Sequence, residues 1–208
     1  AGFMGVVGEK TQPVEVLSDL VARAKRKGAS AAEAVLIDGA SMSVSYRLGK
    51  RENLNRAEGR DLGLRVFVGQ RQAMASTSDT TSASLEALLD RTLSMARAAT
   101  EEPYCGLADP ALLARHFPRL ELLDEREPTG EQLYARAAEI EDAARAVKGV
   151  TNSDGAGASW RRGETTLVTS DGFVGSSQGS MFSGGVSVVA GSGTGMETDH
   201  ASTRARFE

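Results

Sequence analysis

The apolar residues of this chain recur at two alternating periods, and the switches between them mark out the elements. Between Pro13 and Lys27, Val16, Leu17, Leu20, Val21 and Ala24 return every three or four positions. That spacing predicts a helix with one apolar stripe, closed by Gly28. The period then drops to two. After Val35 and Ile37, residues Met42, Val44, Tyr46 and Leu48 alternate with Ser41, Ser43, Ser45 and Arg47, the pattern of a half-buried strand. A glycine turn and "RENLNRAEG" follow, then Leu62, Leu64, Val66 and Val68 alternate again before "GQRQ" turns the chain into Ala73 to Thr77. Strands joined by turns this short must pair antiparallel, so the region reads as a meander with one wet face.

Helical spacing returns at Leu85, Leu88, Leu89, Leu93 and Ala96, and again at Leu133, Ala137, Ile140, Ala144 and Val147. The second of these helices is punctuated at both ends: Thr129 with Gln132 reads as a capping box, and Gly149 as the stop. Between the two, the stretch from Glu101 to Pro128 holds four of the five prolines and reads as a surface connection with one short turn of helix. Just over half of the 23 glycines fall from Gly149 to Gly195, among Ser, Thr and Val. This shift predicts a domain boundary near 149. "NSDGAG" and "TSDGFVG" each place Asp-Gly between strand-like runs, which favours type I′ hairpin turns. The expected class is therefore α+β: residues 1–148 form an antiparallel meander packed with helices, and 149–208 begin a Gly/Ser-rich antiparallel β domain expected to continue beyond residue 208.

Composition narrows the function. The 208 residues carry 24 Lys and Arg against 28 Asp and Glu, a net charge of −4, and only 5% aromatics. Neither a phosphate backbone nor stacked bases would find a surface here, so nucleic acid is not an expected partner. The run from Arg23 to Lys27 complements the dipole at the end of its own helix. No apolar stretch approaches the roughly 18 residues of a membrane span. The opening "AGFMGVVGEK" is unlike a signal peptide, and the single Cys105 suits a reducing compartment, so a cytoplasmic location is expected.

Candidate chemistry is sparse. Gly191, Gly193 and Gly195 give G-x-G-x-G, but "METDHASTRARF" after them has no helical stripe for a dinucleotide site, so a flexible or bulged strand connection is expected. "GSSQG" formally matches a nucleophile elbow with Ser177 as attacking group, yet a strand-like sequel follows, and the only later histidine is His200. Zinc wants three or four converging ligands, and His116, His200 and Cys105 are all the histidine and cysteine the chain offers. Asp61, Asp79 and Asp154 are read as turn residues. No catalytic, metal or cofactor residue is expected within this chain.

The segments from Arg56 to Ala114, Val150 to Gly175 and Val186 to Phe207 resemble, in that order, the N-terminal half of the PmbA/TldE proteins of the TldD/TldE family. "ASTSD" and "EEPYCGLADP" match the PmbA/TldE branch more than TldD; "TDHAST" around His200 departs from the family in lacking aromatics. The resemblance implies the non-catalytic N-terminal part of a cytoplasmic subunit. That subunit would form a heterodimer with a TldD-type subunit, whose helical HExxxH holds zinc, to process peptides or unfolded proteins. The family's older label, modulator of DNA gyrase, suggests DNA contact, against which the charge balance speaks. A meander edge can hold an extended peptide by adding it as a strand. Phe173, Val174 and Met196, apolar among glycine turns, are the expected interface residues. The alternative is a stand-alone peptide-binding or assembly module; a serine hydrolase acting through Ser177 is a third reading.

Overall fold

A computed structural model describes residues 13–118 and 120–208; the opening segment read against a signal peptide lies outside them. Helix α1 (Pro13–Arg26) leads into strands β1 (Ala31–Arg47), β2 (Lys50–Val68) and β3 (Arg71–Thr77). Helix α2 (Ser82–Ala98), a short 3-10 turn at Pro110–Leu112 and helix α3 (Gly130–Arg145) follow. Strands β4 (Val150–Thr169), β5 (Val174–Ala190) and β6 (Glu197–Ala205) close the chain. The six strands form one sheet in the order β3-β2-β1-β4-β5-β6. Two three-stranded meanders thus join through their first strands, and the α+β class read from periodicity is the class observed.

The helices follow the sequence signals. Thr129 accepts the Gln132 N–H while the Gln132 side chain accepts the Thr129 N–H, so two of the donors orphaned at the start of α3 are satisfied. Asp79 accepts from the Thr81 N–H and the Ser84 hydroxyl ahead of α2; the Ser84 contact, first among its bonds, holds its carboxyl below the ordinary range. The basic run ending α1 is spent on ion pairs: Arg23 and Lys27 both meet Glu86 of α2, and Lys27 Nζ lies 2.6 Å from Asp90.

Two compact units divide the chain, and both are interleaved in sequence. One comprises residues 13–38, 60–118 and 164–177; the other comprises 39–59, 120–163 and 178–208. This differs from the expected division at 149. The reason lies in strand length: β1, β2, β4 and β5 run for 17 to 20 residues, against a usual ~5–6, and each supplies one stretch to each unit. In β1, Ala32, Ala34 and Leu36 enter the first core, with Leu17, Leu20, Leu88 and Leu89; Met42 and Val44 enter the second, with Tyr134, Ala137, Ala158 and Trp160.

Three local expectations are corrected. The segment "RENLNRAEG" is strand, not an approach to one: the turn at Leu48 and Gly49, with φ of 48° and 79°, starts pairing at once, although residues 50–61 are all exposed. Backbone pairing, rather than apolar alternation, keeps them extended. Asp61 and Asp154 accordingly lie in strands, not turns. Gly155 makes no hairpin either. It lies inside β4 with φ of 111°, and a Cβ there would stand 3.2 Å from the Tyr46 carbonyl oxygen. Only Asp171-Gly172 of the two Asp-Gly pairs sits in a turn, which spans residues 170–173.

Candidate strand-addition edge

In the second unit, α3 rests on the far half of β5. Gly184 makes this possible, since a Cβ on it would come within 2.5 Å of Ile140 Cδ1. Residues 182, 184 and 186 of β5 therefore face α3, and their antiparallel partners Ala205, Thr203 and Ala201 share that face, as directly opposed residues must. The odd-numbered side chains of β6 look toward the helix. All nine residues of β6 are exposed.

The hydrogen-bonding direction of β6 follows from two separate contacts. The Thr151 hydroxyl donates to the carbonyls of Val189 and Gly191, and the Gly191 N–H donates to the Gly149 carbonyl. Odd residues of β5 thus turn toward β4, leaving even ones for β6. His200, opposite Ser187, then has its N–H on the outer edge, and that N–H donates to Asp199 Oδ1 at 2.8 Å. By the two-residue repeat, the main-chain groups of Thr198, Ser202 and Arg204 point outward as well. Such a row is where any further strand of the sheet would pair.

Two hollows flank α3 on this face. One, of about 380 Å³, has Val186, Val188 and Ala190 as its floor and Lys148, Glu197 and Asp199 among its walls. The other, of about 290 Å³, lies among Ile140, Phe182, Arg136 and Thr203. On α3 itself, the Glu141 carboxylate is fully buried. It accepts from Leu48 N–H at 3.0 Å, Ser153 Oγ at 2.5 Å and Gly49 N–H at 3.5 Å. Burial pushes its proton affinity up, but the Ser153, Leu48 and Gly49 bonds outweigh that and hold it below the ordinary glutamate value. Near the end of β6, Asp124 takes the Arg126 side chain and N–H and the Glu208 N–H, and the Arg126 bonds hold its carboxyl far down.

The residues singled out from sequence do not gather here. Phe173 is half-buried, with its ring 6.0 Å from that of Phe117, and Val174 is exposed; both belong to the first unit, whereas the exposed Met196 precedes β6 in the second. Ser177 is exposed within β5, whose strand continues to Ala190 where an elbow would need a helix, ten positions from Ser187, the partner of His200. The glycines at 191, 193 and 195 form the connection from β5 to β6. His116 is exposed in the long connection and Cys105 half-buried. Among the described residues, no three His, Cys, Asp or Glu side chains gather as metal ligands. Among them, too, no helix is long and apolar enough to cross a membrane. Sequence reading missed the outward row of β6, whose residues, all exposed, show no apolar alternation. It also missed Glu141, detectable as a carboxylate at the fourth position after Ala137 on an apolar stripe.

Comparison with known proteins agrees with this architecture. Residues 32–96 match the PmbA/TldA metallopeptidase domain 1, and residues 123–208 the PmbA/TldA metallopeptidase central domain. A metalloprotease PmbA homolog of Haemophilus influenzae is 31% identical over 92% of this chain and 43% of its own length; metalloprotease PmbA of Escherichia coli O157:H7 is 30% identical over 84% and 39%. A Bacteroides thetaiotaomicron protein described as a modulator of DNA gyrase shares the fold at a TM-score of 0.80 and 20% identity, over 93% of this chain and 45% of that one. TldE from Thermococcus kodakarensis does so at 0.79 and 13%, over 92% and 43%. The chain spans less than half the length of each of these relatives. It belongs to the PmbA/TldA metallopeptidase family, of which it carries the first and central domains.

Proposed function

We propose that this chain is the non-catalytic N-terminal part of a PmbA/TldE-like subunit. In this reading it pairs in the cytoplasm with a TldD-type subunit that holds zinc, and the pair degrades or processes peptides and unfolded proteins. The observation that carries the reading is the match to both family domains together with 30–31% identity to PmbA proteins. The chain's own residues then serve as wall and guide rather than as catalyst. Metal supplied by the partner would activate water for peptide hydrolysis. A second reading is a peptide-binding or assembly module outside any protease, which the hollows beside α3 would serve.

Affinity purification of the full-length protein from its source cell tests the two. The first reading expects a companion of the same family carrying HExxxH, in equal amount and with stoichiometric zinc. Recovery of the full-length protein alone and without a companion overturns it in favour of the second.

A further inference from the structure

We propose that the hollow over Val186 and Val188 binds a dipeptide with both ends free and apolar side chains. This deepens the peptide-processing reading and rests on it, since short peptides with free termini are what peptide hydrolysis releases. The hollow lies at the start of β6, where Val186, Val188 and Ala190 of β5 stand opposite Ala201, Asp199 and Glu197. Directly opposed residues share a face, so the Asp199 and Glu197 side chains rise beside the valines on the side of α3. The facing wall is the turn after α3, with Val147 and Lys148. Val147 is 60% exposed, an apolar group left bare beside an apolar floor.

The two walls carry opposite charge. Glu197 and Asp199 stand on the strand side, two residues and about 6.8 Å apart, and Lys148 on the helix side. Among the described residues none of the three takes part in an ion pair. Asp199 spends one oxygen on the His200 N–H and keeps the other. The ligand that answers such walls has an ammonium at one end, a carboxylate at the other and an apolar body between. A hollow of about 380 Å³ is about 7 Å across if its sides are equal. In a dipeptide the two charges stand up to about 7 Å apart, whereas a single amino acid holds both on one carbon. The volume is at the small end for ligand pockets, roughly 300–1,000 Å³, and the branched aliphatic floor suits side chains of valine size.

Isothermal titration calorimetry on the full-length protein with valylvaline tests this. Saturable binding is expected, and about tenfold weaker binding of serylserine, which gives up the apolar contact. Exposed charge pairs each add little, so valylvaline amide and N-acetyl-valylvaline should each bind about fivefold more weakly. Variants assign each loss to a wall. Lys148→Gln should weaken valylvaline about fivefold and leave the amide unchanged; Glu197→Gln combined with Asp199→Asn should weaken valylvaline and leave the N-acetyl peptide unchanged. All three side chains are exposed, so unfolding midpoints should stay with the parent. The proposal is overturned if valylvaline does not bind, if serylserine binds as well, or if Lys148→Gln weakens the peptide and its amide alike or affects neither. Absence of dipeptide binding with a co-purifying TldD-type companion sinks this site alone; binding as stated without a companion sinks the wider reading alone.

Discussion

Among single residues, Glu141 carries the most consequence for stability. It is the buried partner of a hairpin turn in which Leu48 sits at a φ of 48°, a conformation that costs an L side chain about 1–2 kcal/mol. Its carboxylate meets the N–H groups of that turn and the Ser153 hydroxyl. Glu141→Gln should lower stability by about 1–3 kcal/mol at neutral pH, measured by urea denaturation. The pH dependence has a definite sign. Because the folded carboxyl titrates below its unfolded value of about 4.3, its contribution is complete above that value and is lost as pH falls through the folded one. The gap between wild type and variant should therefore close in acid, and a constant gap from pH 7 to pH 3 would contradict the assignment.

At the level of elements, glycine placement explains both what the sequence disclosed and what it hid. Gly191 opens the connection between β5 and β6 at φ 78°, and a Cβ there would stand 2.5 Å from the Gly195 carbonyl oxygen. Gly191→Ala should destabilise β6 specifically, by about 1–3 kcal/mol, seen as faster amide exchange in residues 197–205 while α2 keeps its protection. Gly155→Ala meets similar strain inside β4. Helices were legible because capping and stripe are local: Thr129 with Gln132, and Leu85 through Ala96, need no distant partner. Strand limits were not. The charged stretch from Lys50 to Asp61 is extended through pairing with β1, and Gly155 relieves a contact with Tyr46, a neighbour 109 positions away in the chain. Nor could composition disclose which way β6 turns its amides, since its register with β5 sets that.

For the whole molecule, the decisive fact is that four strands serve two cores. Leu89→Ala, in the first core, should cost about 2–5 kcal/mol. Because the same strands run on into the second core, the loss should also appear in the fluorescence of Trp160, the one tryptophan, buried there. Unchanged fluorescence midpoints would mean that each core melts separately. A boundary at 149 was the natural reading of a glycine-rich tail, since composition is linear and the units are not. Family membership, by contrast, survived in the order of weak turn and strand motifs, which long strands preserve. The bond from His200 to Asp199 has a last consequence. By taking up the amide of His200, that carboxylate leaves one main-chain donor fewer on β6 for any strand laid beside it.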